Sequence, residues 1–258
     1  MQNRQLHKKY PPRGGLCARP PKTFPEDEKK AGWRDVESTK EQVRALGQNA
    51  LALIGDVSKA ADVQRMVEAT LKQFGRIDIL VNNAAAARGP DRVSVVQTDE
   101  NVLRRVLEVK LIASFLFSKA VVPIMVKQGQ GGRIINVSSA AGQRGAANMS
   151  AYCVANAGVQ SFGEALAMEV AQYGITVNAV CPGMTDTSRL DGPEGPVRGA
   201  RWEQSAKRLV PLQRAATDDE VGHYIAWLCT PAAGYITGQS LNIDGGYLLT
   251  GSWSVRAT

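Results

Sequence analysis

Five short runs rich in β-branched residues, "ALALIGDV", "DILVNNAA", "GRIINVSS", "TVNAVCPG" and "SLNID", lie between residues 50 and 244, separated by stretches with helical periodicity. Strands that alternate with helices are joined by crossovers rather than hairpins, so βαβ units and a parallel sheet follow. The expected architecture is α/β, a doubly wound parallel sheet. In such a sheet ligands bind outside the carboxyl ends of the strands. Asp56, Asn82, Asn83, Ser138, Ser139, Pro182 and Gly183 are therefore expected along one edge. Further on, Val221, Ile225 and Leu228 repeat at helical spacing behind Thr217 and Glu220, which form a capping box.

Composition narrows the function classes. The 258 residues, 44% hydrophobic and 21% charged, suffice for one α/β domain. Cys17, Cys153, Cys181 and Cys229 lie far apart and only two histidines accompany them, so no metal site and no disulfide framework is expected. A reducing, cytoplasmic setting follows as the expectation. The longest apolar stretch, residues 111–126, is broken by Lys119 and Pro123, and no membrane span is expected. Of the net charge of +7, six basic residues stand in residues 1–22 without an acid, leaving the body nearly neutral. No nucleic-acid partner is expected. Residues 1–23, basic and rich in proline, read as a disordered segment, and 24–258 as a single domain.

The motifs "GDVS" (55–58), "LVNNAA" (80–85), "GRIINVSS" (132–139), "SAYCVAN" (150–156), "VNAVCPG" (177–183) and "ITGQSLNIDGG" (236–246) stand in one order over most of the chain. In that order the chain resembles the short-chain dehydrogenase/reductase family, of classical type, over residues 24–250. The resemblance implies a Rossmann-like fold that binds NAD or NADP. It implies a hydride transfer between nicotinamide and a secondary alcohol or ketone, and a small-molecule substrate. A family member without catalysis, persisting as a subunit or binding module, is the alternative. By resemblance, Asp56 and Val57 contact the adenine, and Asn82 and Ala84 support the sheet beside the cofactor. Pro182, Gly183, Thr185 and Thr187 cradle the nicotinamide end.

The family's catalytic group is a serine, a tyrosine and a lysine, backed by an asparagine. Tyr152 matches the tyrosine that passes a proton to the substrate oxygen, and Ser139, thirteen residues earlier, matches the serine that hydrogen-bonds it. Two departures concern the rest. Asn156 stands where the family has lysine, and in "LEVKLIASF" Lys110 stands where it has asparagine. Lys110 shares an apolar stripe with Val106, Ala113 and Phe117, and a lysine there needs a partner. One reading is an exchange in which Lys110 reaches Tyr152 from the neighbouring helix; the other is two independent losses, with Lys110 snorkelling to water.

A third departure lies at the start. Nothing in residues 1–34 resembles the glycine-rich turn TGxxxGxG, whose amides hold the cofactor pyrophosphate. The first βα unit reads as missing or degraded, overwritten as a shifted reading frame overwrites a segment. Its absence exposes one side of the sheet and is expected to weaken NAD or NADP binding to roughly the millimolar range or to abolish it. The helical segments 99–127 and 151–173 carry more apolar surface than one sheet face covers, so a homo-oligomer, a dimer or tetramer, is expected.

Overall fold

The computed structural model describes residues 15–18, 36–86, 89–187, 191–192, 195–196 and 199–250. The chain divides into two compact units at Ile77 and Asp78. The first holds β1 (Gly15–Ala18), α1 (Val36–Ala45), β2 (Ala50–Leu53) and α2 (Ala60–Phe74). β1 and β2 run parallel, Gly15 opposite Ala50 and Ala18 opposite Leu53. In these four residues β2 satisfies the backbone as a ladder partner. Residues 1–14 and 19–35, with most of the basic arm, lie outside the described residues. On α2, Val63, Met66, Val67 and Thr70 form the buried stripe. A Cβ at Gly55 would lie 2.1 Å from Met66 Cε, so a side chain between β2 and α2 would displace the end of Met66.

The second unit holds β3 (Ile79–Asn82), α3 (Glu100–Leu107), a π-helical turn (Glu108–Ile112) and α4 (Ala113–Gln128). After these come β4 (Gly132–Val137), α5 (Ser150–Val170), β5 (Ile175–Pro182), α6 (Ala200–Leu209), α7 (Asp218–Leu228) and β6 (Ser240–Ile243). The sheet order is β6-β5-β4-β3, every pair parallel. Parallel strands covered on both faces need continuous apolar runs, and Ile134, Ile135, Ile175, Val177 and Val180 are accordingly inaccessible. Ile135 and Val180 meet Leu228 of α7 on one face. On the other, Asn136 and Val177 face α5 at Gly163, where a Cβ would lie 3.2 Å from Asn136 Nδ2.

Polar residues inside the sheet cross-link it. Asn82 stands opposite Asn136 and donates from Nδ2 to its Oδ1 at 2.8 Å. Asn178 donates to Ile236 O at 2.8 Å and accepts from Gln239 N at 3.1 Å, seating the entry to β6. Among the described residues β3 pairs with β4 alone, and Ile79 and Val81 are 48% and 40% exposed.

The helical run Glu100–Gln128 is longer than the apolar stretch legible in the sequence, and by length and composition it could cross a bilayer. Here Val106, Val109, Ala113, Val121 and Met125 are buried in the protein core, and the run packs on the sheet and on α5. Beyond β5, Thr185–Asp186 pairs with Ala216–Thr217. The capping box on α7 forms as expected: Thr217 Oγ1 accepts from Glu220 N at 3.2 Å and Glu220 Oε2 accepts from Thr217 N at 2.9 Å.

Candidate active site

β4 ends at Val137, and the two serines that follow serve different purposes. Ser138 is buried; its Oγ donates to the Asn156 carbonyl at 3.0 Å and accepts from Gln160 Nε2 at 2.8 Å. Ser139 is half-buried, and its Oγ caps the 3-10 turn Ala140–Gly142 by accepting from Ala141 N at 3.2 Å. Gln160 Nε2 also donates to the Ser139 carbonyl at 3.1 Å. A Cβ on Gly142 would lie 2.3 Å from Gln160 Nε2 and 2.8 Å from Ala157 N, so the turn after Ser139 sits directly on α5. Hydrogen bonds thus lock the serine loop to the helix that carries Tyr152 in its first turn.

Tyr152 is half-buried, with the guanidinium carbon of Arg92 4.3 Å from its ring centroid. Arg92 pairs with Asp91, Nη1 to Oδ2 at 3.1 Å. One turn along α5, Asn156 is inaccessible to solvent; its Nδ2 donates to Tyr152 O at 2.8 Å, while its Oδ1 has no hydrogen-bond partner among the described residues.

Lys110 is 5% exposed, which rules out snorkelling. It sits in the π turn, whose wider ring displaces one residue from the α-helical stripe. Its Nζ donates to the Val137 carbonyl, and to the Ala84 carbonyl at 3.5 Å. A buried ammonium is tolerable when carbonyls surround it, and here it ties the end of β3 to the end of β4. Below this point Cys181 is buried, and desolvation pushes its thiol up to about 11, against hydrogen bonds from Gln143 and Ser138 and the charge of Lys110.

At the end of β5, Gly183 N donates to Ile243 O at 3.1 Å, and a Cβ there would meet Asp244 at 2.8 Å. Thr185 Oγ1 donates to Gly183 O at 3.4 Å; Thr185 and Thr187 are half-buried and Pro182 closes the strand. Asn82, Ala84, Lys110, Ser139, Tyr152, Asn156, Pro182 and Gly183 all belong to the second unit. Asp56 and Val57 belong to the first, where Asp56 Oδ1 accepts from Ser58 N at 3.0 Å and Ser58 Oγ at 2.7 Å. Sequence reading missed Gln160, Arg92 and Asp91. Gln160 was findable as a polar residue two turns from Tyr152 on an apolar helix; nothing in the sequence singles out a loop arginine.

Residues 30–248 match the family model described as enoyl-(acyl carrier protein) reductase. The chain is 37% identical over 209 residues to a 3-oxoacyl-[acyl-carrier-protein] reductase of Synechocystis sp., covering 81% of this chain and 80% of the relative. A galactitol 2-dehydrogenase of Agrobacterium fabrum is 32% identical, with 82% and 84% covered. Among solved structures, a mutant short-chain dehydrogenase/reductase of Serratia marcescens superposes with a TM-score of 0.76 at 29% identity, over 90% of this chain and 86% of the other. An acetoin dehydrogenase from Enterobacter cloacae gives 0.73 at 30% identity, over 95% and 87%.

Proposed function

This chain belongs to the short-chain dehydrogenase/reductase family, and we propose that it is an NAD(P)-dependent oxidoreductase acting on a secondary alcohol or ketone. The observation that carries the reading is the joint anchoring of the Ser139 loop and the Tyr152 helix through Ser138, Asn156 and Gln160. In the reducing direction Tyr152 gives its phenolic proton to the carbonyl oxygen as hydride reaches the carbonyl carbon, and Ser139 donates a hydrogen bond to that oxygen. Oxidation of the alcohol reverses both steps. When bound, the nicotinamide supplies or accepts the hydride.

The residues at the strand ends fit the nicotinamide half of such a cofactor. The half-buried hydroxyls of Thr185 and Thr187 and the backbone of Pro182 and Gly183 supply polar groups beside the β5 end. Asn82 and Ala84 hold the β3 end. The names of the relatives suggest the substrates to try: a 3-oxoacyl thioester, a polyol and acetoin.

The test is turnover of these compounds by the full chain with NADH, NADPH and their oxidised forms, compared with Tyr152→Phe. Loss of a proton carrier lowers kcat by about a hundredfold or more, with the fold unchanged by circular dichroism. Turnover that survives Tyr152→Phe would overturn the assignment.

A further inference from the structure

The candidate proton carrier lies under a guanidinium that no sequence pattern announces. Arg92 Cζ is 4.3 Å from the Tyr152 ring centroid. The Arg92 side chain is 18% exposed and is paired at 3.1 Å with Asp91, whose side chain is 2% exposed. Asp91 Oδ1 also accepts from Gly89 N at 3.1 Å, and Arg92 N closes the same turn on Gly89 O at 2.9 Å. A buried carboxylate in a tight turn thus holds the guanidinium over the ring, where its planar, delocalised charge stacks well. Within α5 itself the residue one turn beyond Tyr152 is an amide, Asn156, which brings no charge. Lys110 Nζ is hydrogen-bonded to the carbonyls of Val137 and Ala84.

We propose that Arg92 acts through Tyr152: it fixes the plane of the ring and supplies the positive charge that stabilises the phenolate left after proton transfer. It is a positioning residue, oriented by Asp91, and it takes up the electrostatic task for which α5 has no cation. The inference rests on the reading of Tyr152 as proton carrier, so its test needs a readout independent of turnover.

Nitration of tyrosine proceeds through the phenolate, and reaction of the full chain with tetranitromethane near pH 8, mapped by mass spectrometry, reports on Tyr152 individually. Arg92→Met keeps the stem over the ring and removes the charge; it is expected to slow nitration at Tyr152 by about tenfold, while Tyr173 and Tyr235, both exposed, serve as internal standards. Arg92→Lys, which keeps the charge, restores the rate to within about threefold. An unchanged or faster rate in Arg92→Met overturns the proposal, since a merely steric cover would uncover the ring when shortened. Arg92→Gln, also neutral, gives the same discrimination should the methionine variant fail to fold. In turnover, Arg92→Met lowers kcat and leaves KM within about twofold. If nitration follows the charge but Tyr152→Phe leaves turnover intact, the proposed function fails and the electrostatic role of Arg92 stands. If Tyr152→Phe abolishes turnover while Arg92→Met changes neither nitration nor kcat, the role of Arg92 alone is refuted.

Discussion

At Lys110 one side chain decides how two strand ends meet. Its ammonium is buried and donates to the carbonyls of Val137 and Ala84, so Lys110→Met leaves the buried Val137 carbonyl short of a donor. Hydrogen bonds to charged groups contribute about 1.5–3 kcal/mol; a loss of stability of that size, read by chemical unfolding, is expected. Asn156 presents the complementary difficulty, an inaccessible Oδ1 without a partner among the described residues. The bulge carrying Lys110 packs against the helix carrying Asn156. Restoring the family order with Lys110→Asn and Asn156→Lys together is therefore expected to be less destabilising than Lys110→Asn alone. A mutant cycle that shows simple additivity would count against the exchange.

Among the elements, α7 shows a local sequence signal surviving intact into the structure. Its capping box closes both ways, and Arg214 adds a fork, Nη1 to Glu220 Oε2 at 2.8 Å and Nη2 to Oε1 at 2.7 Å. The Arg214 guanidinium first, and the Thr217 amide after it, hold the Glu220 carboxyl down at about 2. Since that value lies below the ordinary glutamate range near 4.3, ionised Glu220 stabilises the fold above that range. The contribution is lost as the pH falls toward about 2. The group is exposed, so the effect is modest. The melting temperature of Glu220→Gln is expected to fall below that of the unaltered chain at pH 7, with the gap narrowing at pH 3. A gap that widens on acidification would contradict this assignment.

For the whole molecule, the surface left over by the sheet suggests a second copy. Phe115 of α4 meets Phe162 of α5 edge to face, centroids 6.0 Å apart. Around this pair Ile112, Phe115 and Val154 are 42%, 43% and 55% exposed. Apolar residues of this size clustered across two helices favour burial. Light scattering at micromolar concentration is expected to give a dimer or larger assembly, and Phe115→Asp with Val154→Asp to give a monomer. An unaltered chain that scatters as a monomer would refute the prediction.

The alternation of strands and helices, the order of six motifs and the cap of α7 were legible in the sequence because each depends on residues close in the chain. Periodicity decides which side faces the core, and a capping box spans three residues. Ser139 and Tyr152 were proposed from the family resemblance, through a spacing of thirteen. The helical segment read at 99–127 matches the run Glu100–Gln128, whereas the pairing of β1 with β2 was not legible, since ladder partners are chosen by tertiary contacts. The environment of the tyrosine belongs to the same class. Whether Lys110 points to water or to carbonyls, and whether a loop arginine reaches a helical tyrosine sixty residues away, depends on which backbones the fold brings within hydrogen-bonding and stacking range, and no local pattern carries that information.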